Sequence, residues 1–464
     1  MTLIQSISGI RGTIGGYPGE GLSPVDITKF AGAFGMWLKE QYGNQRITVV
    51  IGRDARTSGP MVNGVITSVF QALGIDVIDA GLSTTPTIEM GVQLHQAHGG
   101  VILTASHNPR QWNALKLLNH EGEFLTAAQG EAMNAYLDQD KLHFESVDNL
   151  GRILFDDTLL EKHLQKILAL PLVDDEAIRA ANFRVVVDGI NSVGGIAVPL
   201  LLGALGVQQV VELNCEPNGV FQHNPEPLQE HLGELSNKVV REKAHLGLAL
   251  DPDVDRLAIV SEDGEMFGEE YTLVSVADYI LSHTPGNTVS NMSSTQALAE
   301  VSQAHGVNHY YSPVGEVNVV AAMKEHDAVI GGEGNGGVIY PALHYGRDAL
   351  VGIALFLTQL AKSGKSCSKL RRQYPEYIMS KNKIDLSPEV SLRDIIDKMA
   401  EKYSRYTLDQ RDGLKIWFDR EWVHLRMSNT EPMIRLYVES DSPVKADSMA
   451  NKIREDIREL LRSL

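Results

Sequence analysis

Short apolar-rich runs and helix-period stretches alternate through the first 145 residues. Residues 47–51, 76–80 and 101–105 carry their apolar side chains without strict alternation, as strands covered on both faces do. Before them, Ile27, Phe30, Ala31, Phe34, Trp37 and Leu38 recur at helical spacing. Just ahead of that stretch stand a capping serine, Ser23, a proline at the first helical position, Pro24, and an acid in the first turn, Asp26. Residues 59–73 suit a second helix. Strand and helix repeats of this length predict a largely parallel sheet with helices on both faces.

The pattern restarts twice. Residues 184–188 read as a strand, followed by the glycine-rich turn 189–195 and a helix to Leu205. Residues 207–213 and 246–250 are further strands, and 258–260 opens a third unit. Residues 273–281 and 296–305 look helical, and 328–330 form a strand before a glycine cluster. The last segment differs. Val423, Leu425 and Met427 alternate with polar neighbours, as do Ile434, Leu436 and Val438 beyond the turn 428–432. Ser442 and Pro443 then start a long charged helix. The expected architecture is three similar α/β domains with mainly parallel mixed sheets, over 1–145, 146–255 and 256–370, and an α+β domain over 371–464.

A chain of 464 residues exceeds what one core supports, which agrees with several domains. With 43% hydrophobic and 22% charged residues, wholesale disorder is not expected. The formal charge of -18 argues against a nucleic-acid partner, so any anion must be held by a local concentration of cations. No apolar run approaches bilayer length, and the first 16 residues carry Arg11 but no apolar signal-peptide region. Cys215 and Cys367 are the only cysteines and lack CxxC spacing, which speaks against a disulfide framework or a thiolate zinc site. A soluble cytoplasmic protein with no membrane partner is expected.

Six segments carry candidate chemistry. In TASHNPRQWNALK, residues 104–116, a strand ends and a polar loop begins at Ser106. Ligands bind at the carboxyl ends of parallel strands, and a serine there can carry phosphate if cations and a base converge on it. His107, Arg110 and Lys116 are the local candidates, although Ser, Asn and Pro also build ordinary turns. The G-x-S-x-G elbow of serine hydrolases is absent. In DPDVDR, residues 251–256, Asp251, Asp253 and Asp255 stand at alternate positions. In an extended chain they would share one face and repel unless a cation sat among them, and hard oxygen ligands suit magnesium. An EF-hand is rejected: its sixth position needs glycine and holds Arg256, and the flanks read as strands.

Residues 331–337 read GGEGNGG, so Glu333 and Asn335 can offer side chains to hydroxyls, or the segment is a flexible turn. Residues 426–432 read RMSNTEP, and alternation sets Arg426 and Arg435 on the outward face, flanking Ser428, Asn429 and Thr430. Arginine forks, hydroxyls and turn amides suit a phosphate, though a plain hairpin fits as well. Residues 8–12 (SGIRG, with Arg11) and 312–316 (SPVGE) complete the set.

Together, and in their order along the chain from Arg11 to Arg435, these motifs resemble those of the α-D-phosphohexomutase family and span almost the whole chain. The resemblance implies four domains around a central cleft. It implies phosphorylation of Ser106, with His107 and Lys116 in proton transfer and Arg11 and Arg256 beside the transferred phosphate. It implies Mg²⁺ on Asp251, Asp253, Asp255 and the Ser106 phosphate. Glu333 and Asn335 would grip the sugar, and Arg426, Ser428, Asn429, Thr430 and Arg435 the stationary phosphate. A hexose phosphate would be the small-molecule partner and a hexose 1,6-bisphosphate the activator, in a monomer or homodimer. Asn335, where several subfamilies carry serine, fits relatives that act on glucosamine or mannose phosphates; glucosamine phosphate is the first expectation. The fourth domain would release and regrip through motion near residues 363–375.

Overall fold

Three of the four sheets in the computed structural model share one wiring; all residues are described except 1, 7–8, 44, 139–140, 387–390, 428–432 and 464. In the first, Gly99–Leu103 runs parallel to Thr48–Arg53, which runs parallel to Asp76–Leu82. On its other side Gly99–Leu103 pairs antiparallel with Trp112–Leu118. Leu246–Leu250 repeats the scheme with Arg184–Asp188 and Gln209–Leu213 in parallel and Leu257–Ser261 antiparallel. Ile330–Glu333 does so again, with Thr288–Asn291 and His309–Ser312 in parallel and Gly337–Ile339 antiparallel. Each unit therefore has one parallel strand that turns back as a hairpin. The three hairpin loops, 104–111, 251–256 and 334–336, are equivalent in topology and stand at carboxyl ends of parallel strands, where ligands bind in such sheets.

The mixed sheets agree with the expected fold class, and several local expectations need correction. Leu257–Ser261, read as the opening of the third unit, closes the second sheet. Ile153–Phe155, beyond the expected boundary at 145, forms the edge of the first sheet, which Leu3–Ser6 and Gly9–Thr13 extend on the other side. Trp112–Leu118, read as part of a polar loop, is a strand whose period is masked by Asn113 and Lys116, both buried. Gly331, Gly332 and Glu333 lie within a strand, so the glycine-rich turn proper is only residues 334–336.

The helix Pro24–Tyr42 carries the anticipated cap: Ser23 and Asp26 form a capping box, and the six predicted apolar positions are buried. The second and third units share one hydrophobic core. Its axis is the helix Ala349–Ser363, buried at every position from Ala349 to Leu360, as a helix that is apolar all round must be. In segment 363–375, Cys367 and Leu370 enter the core, and the Tyr271 hydroxyl donates to the Pro375 carbonyl at 2.7 Å. Among the described residues no helix is long and apolar enough to cross a membrane.

The fourth sheet is antiparallel throughout, in the order Ile378–Asp385, Met433–Ser440, Trp422–Met427, Leu414–Trp417, Thr407–Asp409. The helices Leu392–Lys402 and Pro443–Ser463 contribute to one core with Val423, Leu425, Ile434, Leu436 and Val438. Met427, expected on the same face, is 40% exposed although its register partner Ile434 is buried. A polar seam joins this unit to the third. Lys415 Nζ donates to the Met292 carbonyl at 2.7 Å and lies against Tyr311, Trp417 and Trp422. His424 Nε2 donates to the Asp412 carbonyl at 2.7 Å, which assigns Nδ1 as the acceptor from Ser293 Oγ at 2.9 Å.

Burial pushes the His424 pKa down to about 3. Below the ordinary imidazole value of about 6.5 the unfolded chain takes up a proton that the folded chain refuses, so folded stability falls as pH drops from that value toward about 3. Thermal unfolding between pH 7 and pH 4 should show a falling Tm, and His424→Gln should flatten part of that slope. Equal slopes in the two proteins would count against this account.

Candidate active site

Ser106 lies in the first hairpin loop with φ +48°, a left-handed conformation that a non-glycine residue adopts only when its surroundings impose it. Arg56 imposes it. This fully buried guanidinium pairs with Asp54 at 3.0 Å and donates to the carbonyls of Ser106, Asn108, Pro109 and Trp112. The Ser106 hydroxyl then points out of its own unit and donates to Asp251 Oδ2 at 2.7 Å.

The three aspartates converge by a turn, not by strand alternation. The Val254 N–H closes onto the Asp251 carbonyl at 3.1 Å, and Val254 itself sits at φ +64°, costly for a β-branched residue. Asp251 Oδ1 accepts the backbone N–H groups of Asp255 and Arg256, each at 3.2 Å. All three carboxylates are buried, with one oxygen of each within 4.8 Å of the others. Thr85 Oγ1 and Lys116 Nζ both donate to Asp253 Oδ2 at 2.6 Å. Lys116 also reaches Asp255 Oδ2 at 3.3 Å. The remaining oxygens, Asp253 Oδ1 and Asp255 Oδ1, are buried without a hydrogen-bond partner.

The third loop joins the same cluster. The backbone N–H of Leu257 donates to the Gly336 carbonyl at 3.1 Å, and a Cβ on Gly336 would lie 2.3 Å from the Leu257 carbonyl oxygen, so the close approach requires glycine. Glu333 is buried: its Oε1 accepts from Asn291 Nδ2 at 2.8 Å and the Gly315 N–H at 3.1 Å, and its Oε2 from Arg347 at 2.7 Å. Asn335 Oδ1 accepts the Gly337 N–H at 3.2 Å. Arg11 donates to Asn108 Oδ1 at 3.0 Å, and Arg256 pairs with Glu226 at 3.4 Å. His107 Nδ1 lies 3.4 Å from Ser106 Oγ. Arg426 and Arg435 are direct register partners on neighbouring strands, as alternation predicted. They do not bond to the cluster; Arg426 pairs with Asp412 at 2.8 Å, and Asp412 Oδ2 accepts the Val314 N–H at 2.8 Å. Ser428, Asn429 and Thr430 lie outside the described residues.

Four family models, described as phosphoglucomutase/phosphomannomutase alpha/beta/alpha domains I, II and III and C-terminal domain, match residues 3–143, 161–264, 268–377 and 385–456. A phosphoglucomutase/phosphomannomutase of Thermococcus kodakarensis is 35% identical over 441 residues, covering 94% of this chain and 95% of that protein. The chain belongs to the α-D-phosphohexomutase family. It is therefore an isomerase of the intramolecular phosphotransferase kind. A probable phosphoglucosamine mutase of Methanopyrus kandleri is 32% identical over 461 residues, covering 98% and 97% of the two chains. A phosphoglucomutase/phosphomannomutase family protein of Burkholderia thailandensis superposes with a TM-score of 0.84 at 26% identity, covering 100% and 98% of the two chains.

The electrostatics of this phosphohexomutase site ask for a cation. Burial, with Asp255 and Asp253 beside it, pushes the Asp251 carboxyl well above its ordinary range. Burial opposes ionisation of Asp255 too, but Arg347, Lys116 and Arg256 outweigh it and hold that carboxyl low. Burial likewise opposes the Lys116 ammonium, and Asp253 and Asp255 outweigh it, so Lys116 stays charged. His107 is pushed well below its ordinary value by burial, with Arg256 and Arg11 adding to the effect, so its imidazole is neutral. Two buried carboxylate oxygens without partners, beside a third carboxylate that resists ionising, fit a hard divalent ion.

Sequence reasoning missed Arg56, Thr85, Asn291 and Arg347, and named Glu316 only as the end of the SPVGE segment. Arg56 and Thr85 follow the carboxyl ends of the parallel strands Thr48–Arg53 and Asp76–Leu82. Charged and hydroxyl residues just past such runs were the available signal. Arg56→Met would leave Asp54 buried without its partner, and stability should fall by about 3–5 kcal/mol. A shift of the urea midpoint with an unchanged slope would measure it; a midpoint unchanged from wild type would refute the role.

Proposed function

We propose that Ser106 carries a phosphoryl group between the C1 and C6 oxygens of a hexose, interconverting hexose 6-phosphate and hexose 1-phosphate. One observation carries the reading: a strained serine hydroxyl stands 2.7 Å from an aspartate of a buried triad in which two further carboxylate oxygens have no partner. Phosphorylated Ser106 donates its phosphoryl group to the free hydroxyl of the bound monophosphate. The hydroxyl proton leaves to a base of the cluster as the new P–O bond forms and the Ser106 O–P bond breaks. The resulting 1,6-bisphosphate turns around, and its other phosphoryl group returns to Ser106. Mg²⁺ held by Asp251, Asp253 and Asp255 would neutralise phosphoryl charge during transfer.

His107 and Lys116 handle protons in this scheme. His107 is neutral and can accept one; Lys116 is an ammonium while Asp253 and Asp255 face it, and can donate one. Arg11 and Arg256 hold the moving phosphate. Glu333 and Asn335 receive the sugar, and Arg426 and Arg435, with Ser428, Asn429 and Thr430 between them, the stationary phosphate. The bisphosphate, supplied from outside, would rephosphorylate Ser106 when it is lost, which makes it the activator. An acidic chain with two cysteines, both unpaired, suits the cytoplasm.

Glucosamine 6-phosphate is the proposed substrate, supported by the relatives named phosphoglucosamine mutase. Mannose and glucose phosphates form the second reading, favoured by the relative at 35% identity. A coupled assay on all three hexose 6-phosphates, with Mg²⁺ and a trace of the matching bisphosphate, separates them. Turnover should favour one sugar, disappear in Ser106→Ala and vanish on chelation of the metal. A folded, Ser106-phosphorylated chain that turns over none of the three would point instead to a sugar-phosphate-binding protein.

A further inference from the structure

Arg347 is 7% exposed and stands just ahead of the buried helix Ala349–Ser363. Its guanidinium meets three carboxylates drawn from two units: Asp255 Oδ2 at 2.6 Å, Glu333 Oε2 at 2.7 Å and Glu316 Oε2 at 3.0 Å. Its backbone N–H donates to Glu316 Oε1 at 3.1 Å. We propose that Arg347 is a positioning residue that aims Oδ1 of Asp255, which has no hydrogen bond, at the metal and the carboxylate of Glu333 at the sugar, so that both affinities depend on one guanidinium. The inference rests on the phosphohexomutase reading above.

Three features support it. Asp255 Oδ2 is taken up by Arg347 and Lys116, which leaves Oδ1, without a hydrogen bond and 3.8 Å from Arg256 Nε, as the oxygen presented to a cation. Partners of this kind orient metal ligands, and their loss typically weakens metal binding about 10–100-fold. Glu333 spends Oε1 on Asn291 and Gly315 and Oε2 on Arg347. A carboxylate offers about four lone-pair sites, so Glu333 keeps roughly one for a sugar hydroxyl, and Arg347 helps decide which way it faces. The route of the side chain is also built in: a Cβ on Gly337 would lie 2.4 Å from Arg347 Cδ, so the neighbouring strand makes room for the arginine.

A planar fork with donors in fixed directions can serve three carboxylates at once, and a lysine ammonium cannot reproduce that geometry. The full-length chain and its Arg347→Met, Arg347→Lys, Glu333→Gln and Arg347→Met/Glu333→Gln variants supply the test. Mn²⁺ binding is read by electron paramagnetic resonance, and hexose 6-phosphate binding to the metal-free chain by calorimetry. Both Arg347 variants should bind Mn²⁺ about tenfold or more weakly. They should also lose about tenfold in hexose phosphate affinity, with no further loss when Arg347→Met is added to Glu333→Gln, because the two act as one unit. Wild-type affinities in Arg347→Met, rescue of both by lysine, additive losses with Glu333→Gln, or a lowered Tm with both affinities unchanged would each overturn the proposal. A wild-type chain that binds Mn²⁺ but none of the three hexose phosphates would sink the functional reading and the sugar half of this one; the Mn²⁺ comparison would still decide the hold on Asp255.

Discussion

The arrangement of this chain turns on the burial of three carboxylates in one place. Asp251, Asp253 and Asp255 are fully buried, and desolvation with mutual repulsion makes such a cluster unstable without cations. The compensating charges come from far along the chain. Lys116 reaches in from the first unit and Arg347 from the third, while Thr85 adds a hydroxyl. Removing one partner of a buried pair costs about 3–5 kcal/mol, so the cluster helps to hold three units in register. Structural and chemical demands coincide in the same few side chains.

Repetition of one supersecondary pattern makes this convergence possible. In each α/β unit a parallel strand reverses into an antiparallel neighbour, and the reversing loop stands at a carboxyl end. The first loop holds a serine, the second a carboxylate triad, and the third follows directly on a glutamate at the end of its strand. Three copies of one hairpin thus carry three different chemistries. Two of these loops hold strained backbone: Ser106 and Val254 have left-handed angles that Arg56 and the Asp251 turn impose.

The fourth unit meets the third through polar contacts instead of a common core. Lys415, His424 and Glu439 reach the third unit through hydrogen bonds to Met292, Ser293 and Gln296. Burial holds the Lys415 ammonium down to about 7 and keeps His424 neutral. Asp412 links Arg426 to the backbone at Val314, whose neighbour Gly315 donates to Glu333. Arg426 and Glu333 are therefore joined by a short chain of bonds across the seam.

Local periodicity by itself determined the succession of units, the first helix with its cap and the alternating strands of the last domain, because each follows from neighbouring residues. The order of motifs determined the family and pointed to Ser106, the aspartates and Glu333. Tertiary structure decided what those residues touch. Trp112–Leu118 could not be seen as a strand, since Asn113 and Lys116 break its apolar run for the sake of contacts made across the fold. The aspartates were expected to meet by strand alternation and instead meet by a turn, which no local period announces. Arg56 offered only its place just past a strand and Arg347 no local signal, because a buried arginine is stable only among acceptors that the folded chain brings from elsewhere.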